Sequence, residues 1–441
     1  MIENGMQHAQ RLATLLSGTI RGVGLYPQGH PASRQPFREM ETIVSALQRE
    51  GGDIRLAVAD GVLSVGEHLF FAPPAPLQEL INRLDEKEVS GLILKPGVTA
   101  HDLTALARLM AEPSGGAGEL GQGLKRAGIK LVEVMEEDPL SRTYNEAVSA
   151  VRDIFQEIGK GRIPNSRRML NVVSSLASSA IKEPAALLGL ALIKDYDNYT
   201  FQHSVNVGVL SMALSASMGQ SEQEVEEAGL AGFLHDVGKT RVDKEILNKP
   251  GKLNGDEYLE MSKHPEHGAE IVRSMAGVPE RVAEAVLGHH IRYDRGGYPE
   301  WARKLPYGAT SGIVAVADFY DASTTLRAYQ SPLQPTQAVQ EIRNACGASL
   351  DREIVERFLE LTGRFPTGSL VRLDSNEIAV VYTPSTHACG AAVVKVILDS
   401  HGRKLTEPEL RNIIASEECI IDLVDPLVKG IEVSHYFYGG S

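Results

Sequence analysis

Apolar side chains recur along this chain with two different periods, and the change of period divides it into three stretches. Residues 30–48 carry apolar positions at three- and four-residue intervals, which predicts a helix. Two alternating runs, 54–59 and 62–71, flank an Asp60-Gly61 turn and read as a hairpin. A helix over 77–84, an apolar strand at 91–94, a helix over 101–110 and a strand near 129–134 complete a small α/β unit. The Gly-rich segment 113–123 has neither a preceding strand nor a following Lys-Ser/Thr pair, so it reads as a connector and not as a phosphate loop. Acidic residues at 136–138, followed by Pro139, mark a boundary.

From 141 to about 363 nearly every periodic segment is helical, with no convincing alternating strand. Ser221 with Glu224 and Asn254 with Glu257 have capping-box spacing and set two helix starts, while Pro279 is expected in the first turn of a third helix. Gly238 is expected to end the helix that carries His235. Past Pro366, Val- and Ile-rich runs at 368–373, 378–382 and 391–398, with a Ser375-Asn376 turn, predict a small β-rich region. The fold class expected is therefore multidomain and mainly α: an N-terminal α/β domain over 1–137, a central α-helical bundle over 141–363 and a β-rich C-terminal region over 364–441.

Composition narrows the function without naming it. A length of 441 residues suits about three domains, and 43% hydrophobic with 23% charged residues excludes disorder, a collagen and a disulfide scaffold. The net charge of −13 opposes a nucleic-acid polymer or an anionic membrane as the main partner, so an anionic ligand needs a local cationic pocket. Cys346, Cys389 and Cys419 lie far apart, with no zinc-knuckle spacing. The longest apolar stretch near the middle, 185–193, is too short to span a bilayer, and the opening MIENGMQHAQR lacks the basic-then-apolar order of a secretory signal. A cytoplasmic protein with no membrane span is the expectation.

Histidine is unevenly spread. Of 13 in the chain, six (His203, His235, His264, His267, His289 and His290) fall within 88 residues of the helical stretch. Together with Asp236 and Asp318 they have the imidazole and carboxylate chemistry of a transition-metal site. They exceed the coordination positions of one ion but suit two ions that share a bridging carboxylate, an arrangement that clamps a phosphate and activates water. His289 and His290 are consecutive at a helix end, so their side chains diverge by about 100° and can approach one ion from two directions. Asp318 lies in an apolar helix and needs a cation. Asp321, three residues on, shares its face, and its part as ligand or as helix-pairing acid stays open. His267 reads as structural or solvated.

Taken together, His203-Ser204-Val205, His235-Asp236-Val237-Gly238-Lys239, Lys249-Pro250-Gly251, His264, His289-His290, Asp294 with Gly297-Tyr298-Pro299, Asp318 and Arg327 resemble, in order and spacing, the motifs of the HD-GYP family. That family is a branch of the HD phosphohydrolase superfamily whose members hydrolyse the bacterial second messenger cyclic di-GMP. The resemblance covers roughly 197–329 and implies an HD-type helical bundle. It implies one metal held by His203, His235, Asp236 and Asp318, with Asp236 bridging to a second held by His264, His289 and His290, the metals being iron or manganese. It further implies that a metal-bridging hydroxide is the nucleophile and that Lys239 faces the scissile phosphate, with Tyr298 and Arg327 contacting the substrate. The product would be pGpG, with further cleavage to GMP as an extension. Signalling protein partners and a homodimer through the helices before Asp197 are also expected.

The chain departs from the family pattern at Ile291, where a Glu usually follows the double histidine, at Arg295, where a Gly is usual, and at Gln330, where a basic residue is frequent. Tyr199 replaces the Glu found four residues before the first His in three-metal members, which favours two ions. These departures leave two alternatives beside the phosphodiesterase: a slowly turning or inactive cyclic di-GMP receptor, and a phosphohydrolase of another nucleotide.

Overall fold

The computed structural model describes residues 2–23, 31–48, 52–59, 62–70, 73–113, 116–136, 139–191, 199–249, 251–306, 308–325, 332–384, 392–413, 419–424, 431, 433 and 436. The chain divides into two compact units, Met1–Pro139 and Leu140–Ser441.

The first unit opens with helices α1 (Ile2–Gly22) and α2 (Pro31–Leu47), followed by strands β1 (Ile54–Ala59), β2 (Val62–Val65) and β3 (His68–Phe70). Helix α3 (Ala75–Glu86), strand β4 (Val89–Leu94), helices α4 (Ala100–Ala111) and α5 (Ala117–Arg126) and strand β5 (Val132–Glu136) complete it. The sheet order is β3-β2-β1-β4-β5, antiparallel throughout, with Leu56 opposite both Val65 and Leu92. Alternation along β1 sends Ile54 and Leu56 inward against Leu12, Leu16, Met40 and Leu80 of the helices, all buried.

Three features of this unit differ from the sequence reading. Helix α1 was not anticipated, although Ala9, Leu12, Ala13, Leu16 and Ile20 line one face at helical spacing. The run 62–71 is two strands, because Gly66 at φ +60° turns the chain between them. The Gly-rich connector is largely α5: Ala117, Leu120, Gly123 and Leu124 are buried at helical spacing, and a Cβ on Gly123 would come within 2.9 Å of Leu109, so its glycine permits close packing.

The second unit is helical as far as residue 362. Its elements are α6 (Pro139–Gly159), α7 (Arg167–Lys182), α8 (Pro184–Leu190), α9 (Tyr199–Ser217), α10 (Glu222–Leu234), a 3-10 turn (Val237–Arg241), α11 (Lys244–Leu247) and α12 (Gly255–Met261). There follow α13 (His264–Ser274), α14 (Glu280–Gly288), a second 3-10 turn (Trp301–Lys304), α15 (Ala309–Thr324), α16 (Pro335–Ala345) and α17 (Arg352–Thr362). Both capping boxes form, at Ser221 and at Asn254. Pro279 sits one place earlier than expected, as the extended N-cap residue of α14.

Helix α9 is the axis of this unit, buried on every face from Gln202 to Ser215. It lies against α10 at a glycine contact: a Cβ on Gly232 would stand 2.4 Å from the Gly208 Cα, so the two backbones touch where side chains would hold them apart. Phe233, fully buried beside this contact, contributes roughly 2–3 kcal/mol of apolar burial. This approach brings the N-terminal turn of α9 alongside the C-terminal end of α10.

The C-terminal sheet has strands β6 (Leu370–Leu373), β7 (Ile378–Thr383), β8 (Ala392–Leu398), β9 (Lys404–Ile413) and β10 (Ile420–Leu423) in the order β10-β6-β7-β8-β9, again antiparallel. The sequence pattern predicts β6 to β8 but not β9 and β10, the two edges. An edge strand is permitted the charges and the Pro408 that β9 carries, because among the described residues its outer hydrogen-bonding side has no partner strand. Among the described residues no helix is long and apolar enough to cross a membrane.

Candidate metal centre

Five elements of the second unit each end or turn at one point and deliver one or two donors. His203 comes from the first turns of α9, His235 and Asp236 from the C-terminal end of α10, His264 from the start of α13, His289 and His290 from the end of α14, and Asp318 from the middle of α15. His235, His264, His289, His203 and Asp236 are all buried. Two sets result, His203 with His235 and Asp236, and His264 with His289 and His290, the donor atoms within each lying inside 4.8 Å of one another. Asp318 joins the first set, its Oδ1 3.2 Å from His203 Nε2 and 3.9 Å from His235 Nε2.

Asp236 lies between the sets. Its Oδ2 is 3.3 Å from His235 Nε2 and 3.8 Å from His203 Nε2, whereas its Oδ1 is 3.4 Å from His264 Nε2. What lets α13 come so close is Gly238 in the 3-10 turn, where a Cβ would lie 1.9 Å from the His264 carbonyl oxygen. Gly238 therefore serves as a contact point, which corrects its expected role as a helix terminator: α10 has already ended at Leu234.

The imidazoles are held by their far nitrogens. His235 Nδ1 lies 2.7 Å from the Gly232 carbonyl, His264 Nδ1 2.8 Å from that of Met261 and His289 Nδ1 2.6 Å from that of Val286, each three residues earlier in the chain. A carbonyl can only accept, so each Nδ1 carries the proton and each Nε2 is left as a bare lone pair. His203 Nδ1 lies 2.8 Å from Asp321 Oδ2, so the Asp321 carboxylate holds the imidazole from behind.

The resulting site is short of positive charge. His264 Nε2 and His289 Nε2 face each other at 3.3 Å, and two lone pairs at that distance repel unless a cation lies between them. Among the described residues, His235 Nε2 and Asp236 Oδ1 are buried with no hydrogen-bond partner. Orphaned acceptors of this kind, with nitrogen and carboxylate donors mixed, fit a divalent transition metal. Burial points the same way: it pushes His264 down to about 3 and His290 down to about 4, and carries His289 well below its ordinary value, so all three imidazoles are neutral at physiological pH. Burial opposes the charge of Asp236, yet His235 and Lys239 hold its carboxyl well below the usual range. Burial would also lower His203, but its contacts with Asp318 and Asp321 raise it to about 9, the proton standing where a metal would.

Lys239 reaches Asp236 Oδ2 at 2.5 Å from the 3-10 turn and is half-buried. Tyr298 covers the His264/His289/His290 set, its ring 4.6 Å from that of His290 and 6.0 Å from that of His264, and burial raises its hydroxyl above the ordinary value. Tyr258 of α12, exposed, meets Tyr298 edge-on at 6.0 Å; the sequence reading did not single it out, because one aromatic on a short helix carries no distinguishing pattern. His267 is half-buried and belongs to neither set. Arg327 and Gln330 lie outside the described residues, as does the side chain of Tyr199.

The two departures beside the double histidine turn away from the donors. Ile291 is buried in an apolar cluster with Ala269, Leu287 and Ala302. Arg295 adopts φ +67°, a left-handed conformation that costs a non-glycine residue roughly 1 kcal/mol, and its guanidinium donates to the Leu305 carbonyl at 2.6 Å just beyond the second 3-10 turn.

The HD domain family matches residues 190–354. The cyclic di-GMP phosphodiesterase PA4108 of Pseudomonas aeruginosa is 33% identical over 267 residues, which cover 60% of this chain and 60% of that protein. A cyclic di-GMP phosphodiesterase of Thermotoga maritima is 37% identical over 174 residues, 39% of this chain and 47% of that protein. The 3′3′-cGAMP-specific phosphodiesterase 1 of Vibrio cholerae is 31% identical over 173 residues, 39% of this chain and 40% of that protein. The chain thus spans 40–60% of the length of these curated relatives. His235-Asp236 and Gly297-Tyr298-Pro299 both lie inside the segment 190–354, and that segment of the chain is an HD domain.

Proposed function

We propose that the helical region over 141–363 is a metal-dependent phosphodiesterase that hydrolyses a cyclic dinucleotide, cyclic di-GMP foremost, to its linear form. The observation that carries this reading is the convergence of the Nε2 atoms of His203, His235 and His264 on the two oxygens of Asp236, with His289 facing His264. His203, His235, Asp236 and Asp318 would hold one divalent ion and His264, His289 and His290 a second, with Asp236 shared. Iron or manganese suits this mixture of imidazole and carboxylate. Two such ions, when bound, neutralise phosphate oxygens and make water a nucleophile near neutral pH.

The protein's own groups do the rest. The second imidazole set is covered by Tyr298, which offers an aromatic face to a nucleobase at the same place. Lys239, paired with Asp236, carries an ammonium that can turn to the scissile phosphate and give a proton to the departing ribose oxygen. Water adds to phosphorus and gives up a proton, the P–O bond to the ribose breaks, the ribose oxygen takes a proton from Lys239, and the proton released by water restores the ammonium. Arg327 is assigned to a second phosphate contact. Residues 1–137 are assigned a regulatory role, residues 364–441 a separate small region, and the protein a cytoplasmic location with signalling partners. The homodimer expected through the helices before Asp197 is tested by light scattering of the full chain.

Single-turnover hydrolysis by anaerobically purified protein, loaded with Fe(II) or Mn(II) and with metal counted in the same sample, tests the function. Expected are two ions per chain and metal-dependent formation of pGpG, with 3′3′-cGAMP cleaved more slowly. Two ions with retained nucleotide and no product would replace this reading with that of a receptor.

A further inference from the structure

The geometry points to Tyr144, on a helix that precedes the matched HD segment, as a positioning residue for the first metal ligand. This inference rests on the metal-centre reading above. Tyr144 is fully buried in α6, the helix with which the second unit begins. Its hydroxyl donates to Asn206 Oδ1 at 2.7 Å, and Asn206 Nδ2 donates to Asp321 Oδ1 at 3.0 Å. The other oxygen of Asp321 takes His203 Nδ1 at 2.8 Å and the Thr325 hydroxyl at 3.4 Å. Four buried side chains from α6, α9 and α15 thus form one line that ends at His203 Nε2.

The direction of each bond is determined. The ionised carboxylate of Asp321 can only accept, so Asn206 must turn its NH2 toward it, which leaves the amide oxygen facing Tyr144. The Tyr144 hydroxyl supplies a donor for that oxygen, and with both ends engaged the amide cannot flip. Asn206 then fixes one carboxylate oxygen of Asp321, so the other is held in line with the imidazole. Asn206 and His203 are three residues apart on α9 and so share a face, but nothing in the local sequence ties Tyr144 to them: it is 62 residues from Asn206. Without the tyrosine hydroxyl, Asn206 Oδ1 loses a buried donor, Asp321 gains freedom to rotate, and the His203 ring loses its fixed aim.

The test is a titration of metal-free full-length protein with Mn(II), with free ion followed by electron paramagnetic resonance, and a parallel Co(II) titration followed by absorption. Loss of a group behind a metal-bound histidine costs about 10–100-fold in affinity, and Tyr144, two bonds further back, is expected near the lower end, about tenfold. In Tyr144→Phe one of the two equivalents should weaken by that factor while the other is unchanged, and the Co(II) spectrum of the weakened equivalent should shift. Asn206→Ala should weaken the same equivalent at least as much, and adding Tyr144→Phe to it should cost nothing more. Wild-type affinity for both ions in Tyr144→Phe overturns the inference, as do additive losses in the double variant. A parallel weakening of both equivalents with a lowered melting temperature also overturns it, since Tyr144 would then be a packing residue alone. A wild-type chain that binds no ion overturns the metal-centre reading and this inference with it, so the two failures are distinguishable.

Discussion

Replacing Gly238 by alanine tests whether the two donor sets are held together by backbone contact. The added Cβ would lie 1.9 Å from the His264 carbonyl oxygen and 2.5 Å from the Gly268 nitrogen, against the 3.4 Å at which ordinary contact begins. Both obstacles are backbone atoms, so no rotamer change relieves them, and α13 must withdraw from the 3-10 turn by about 1.5 Å on the nearer contact. Overpacking of this kind costs typically about 1–3 kcal/mol, which for a unit of this size is a fall of a few degrees in Tm. The chemical effect should be larger. A retreat of that size opens the 3.4 Å separation between His264 Nε2 and Asp236 Oδ1, and misplacement of a reacting group by about 1 Å can cost about 100-fold in rate. Differential scanning calorimetry, metal analysis and single-turnover hydrolysis on one preparation of Gly238→Ala would measure both. A variant with the wild-type Tm, two ions per chain and undiminished turnover would refute the close approach on which the site geometry depends.

Asp236→Ala should lose both ions and all hydrolysis, because each of its oxygens faces a different donor set; retention of either full metal content or activity in metal analysis and turnover excludes it as the bridge. Lys239→Met should keep both ions while kcat falls by roughly 100-fold or more, the usual contribution of a positioned proton donor, measured by steady-state kinetics at saturating metal. Ile291→Glu, which restores the usual family residue, should lower stability by roughly 1–3 kcal/mol in denaturant unfolding, since the carboxylate would enter an apolar cluster with no partner; a gain in turnover at unchanged stability would contradict this.

Much of the site was open to reading because its chemistry uses rare residue types. Histidines at 203, 235, 264, 289 and 290 with Asp236 and Asp318 stand out against the surrounding Ala, Val and Leu, and the structure gathers all seven. What sequence could not supply was the partner of each far nitrogen. Asp321 shares a helical face with Asp318, so spacing alone could not separate ligand from support; a contact with His203, 118 residues away, does. Gly238 read as a helix stop because glycine usually ends helices, whereas here its missing side chain admits another backbone. The fold was read well where periodicity was strong, and poorly where burial was one-sided or small residues interrupted it, as in α5, or where an edge position relaxed the pattern, as in β9.

The carbonyl grip on His235, His264 and His289 has a consequence for variation. A ligand oriented by another side chain is lost when that side chain mutates, whereas one oriented by the peptide group three residues earlier depends only on the helical turn persisting. Neighbouring side chains are then not needed to aim the imidazoles and can serve packing, as Ile291 does, or a loop, as Arg295 does. A centre of this construction can change its rim at little risk to the aim of the imidazoles beneath.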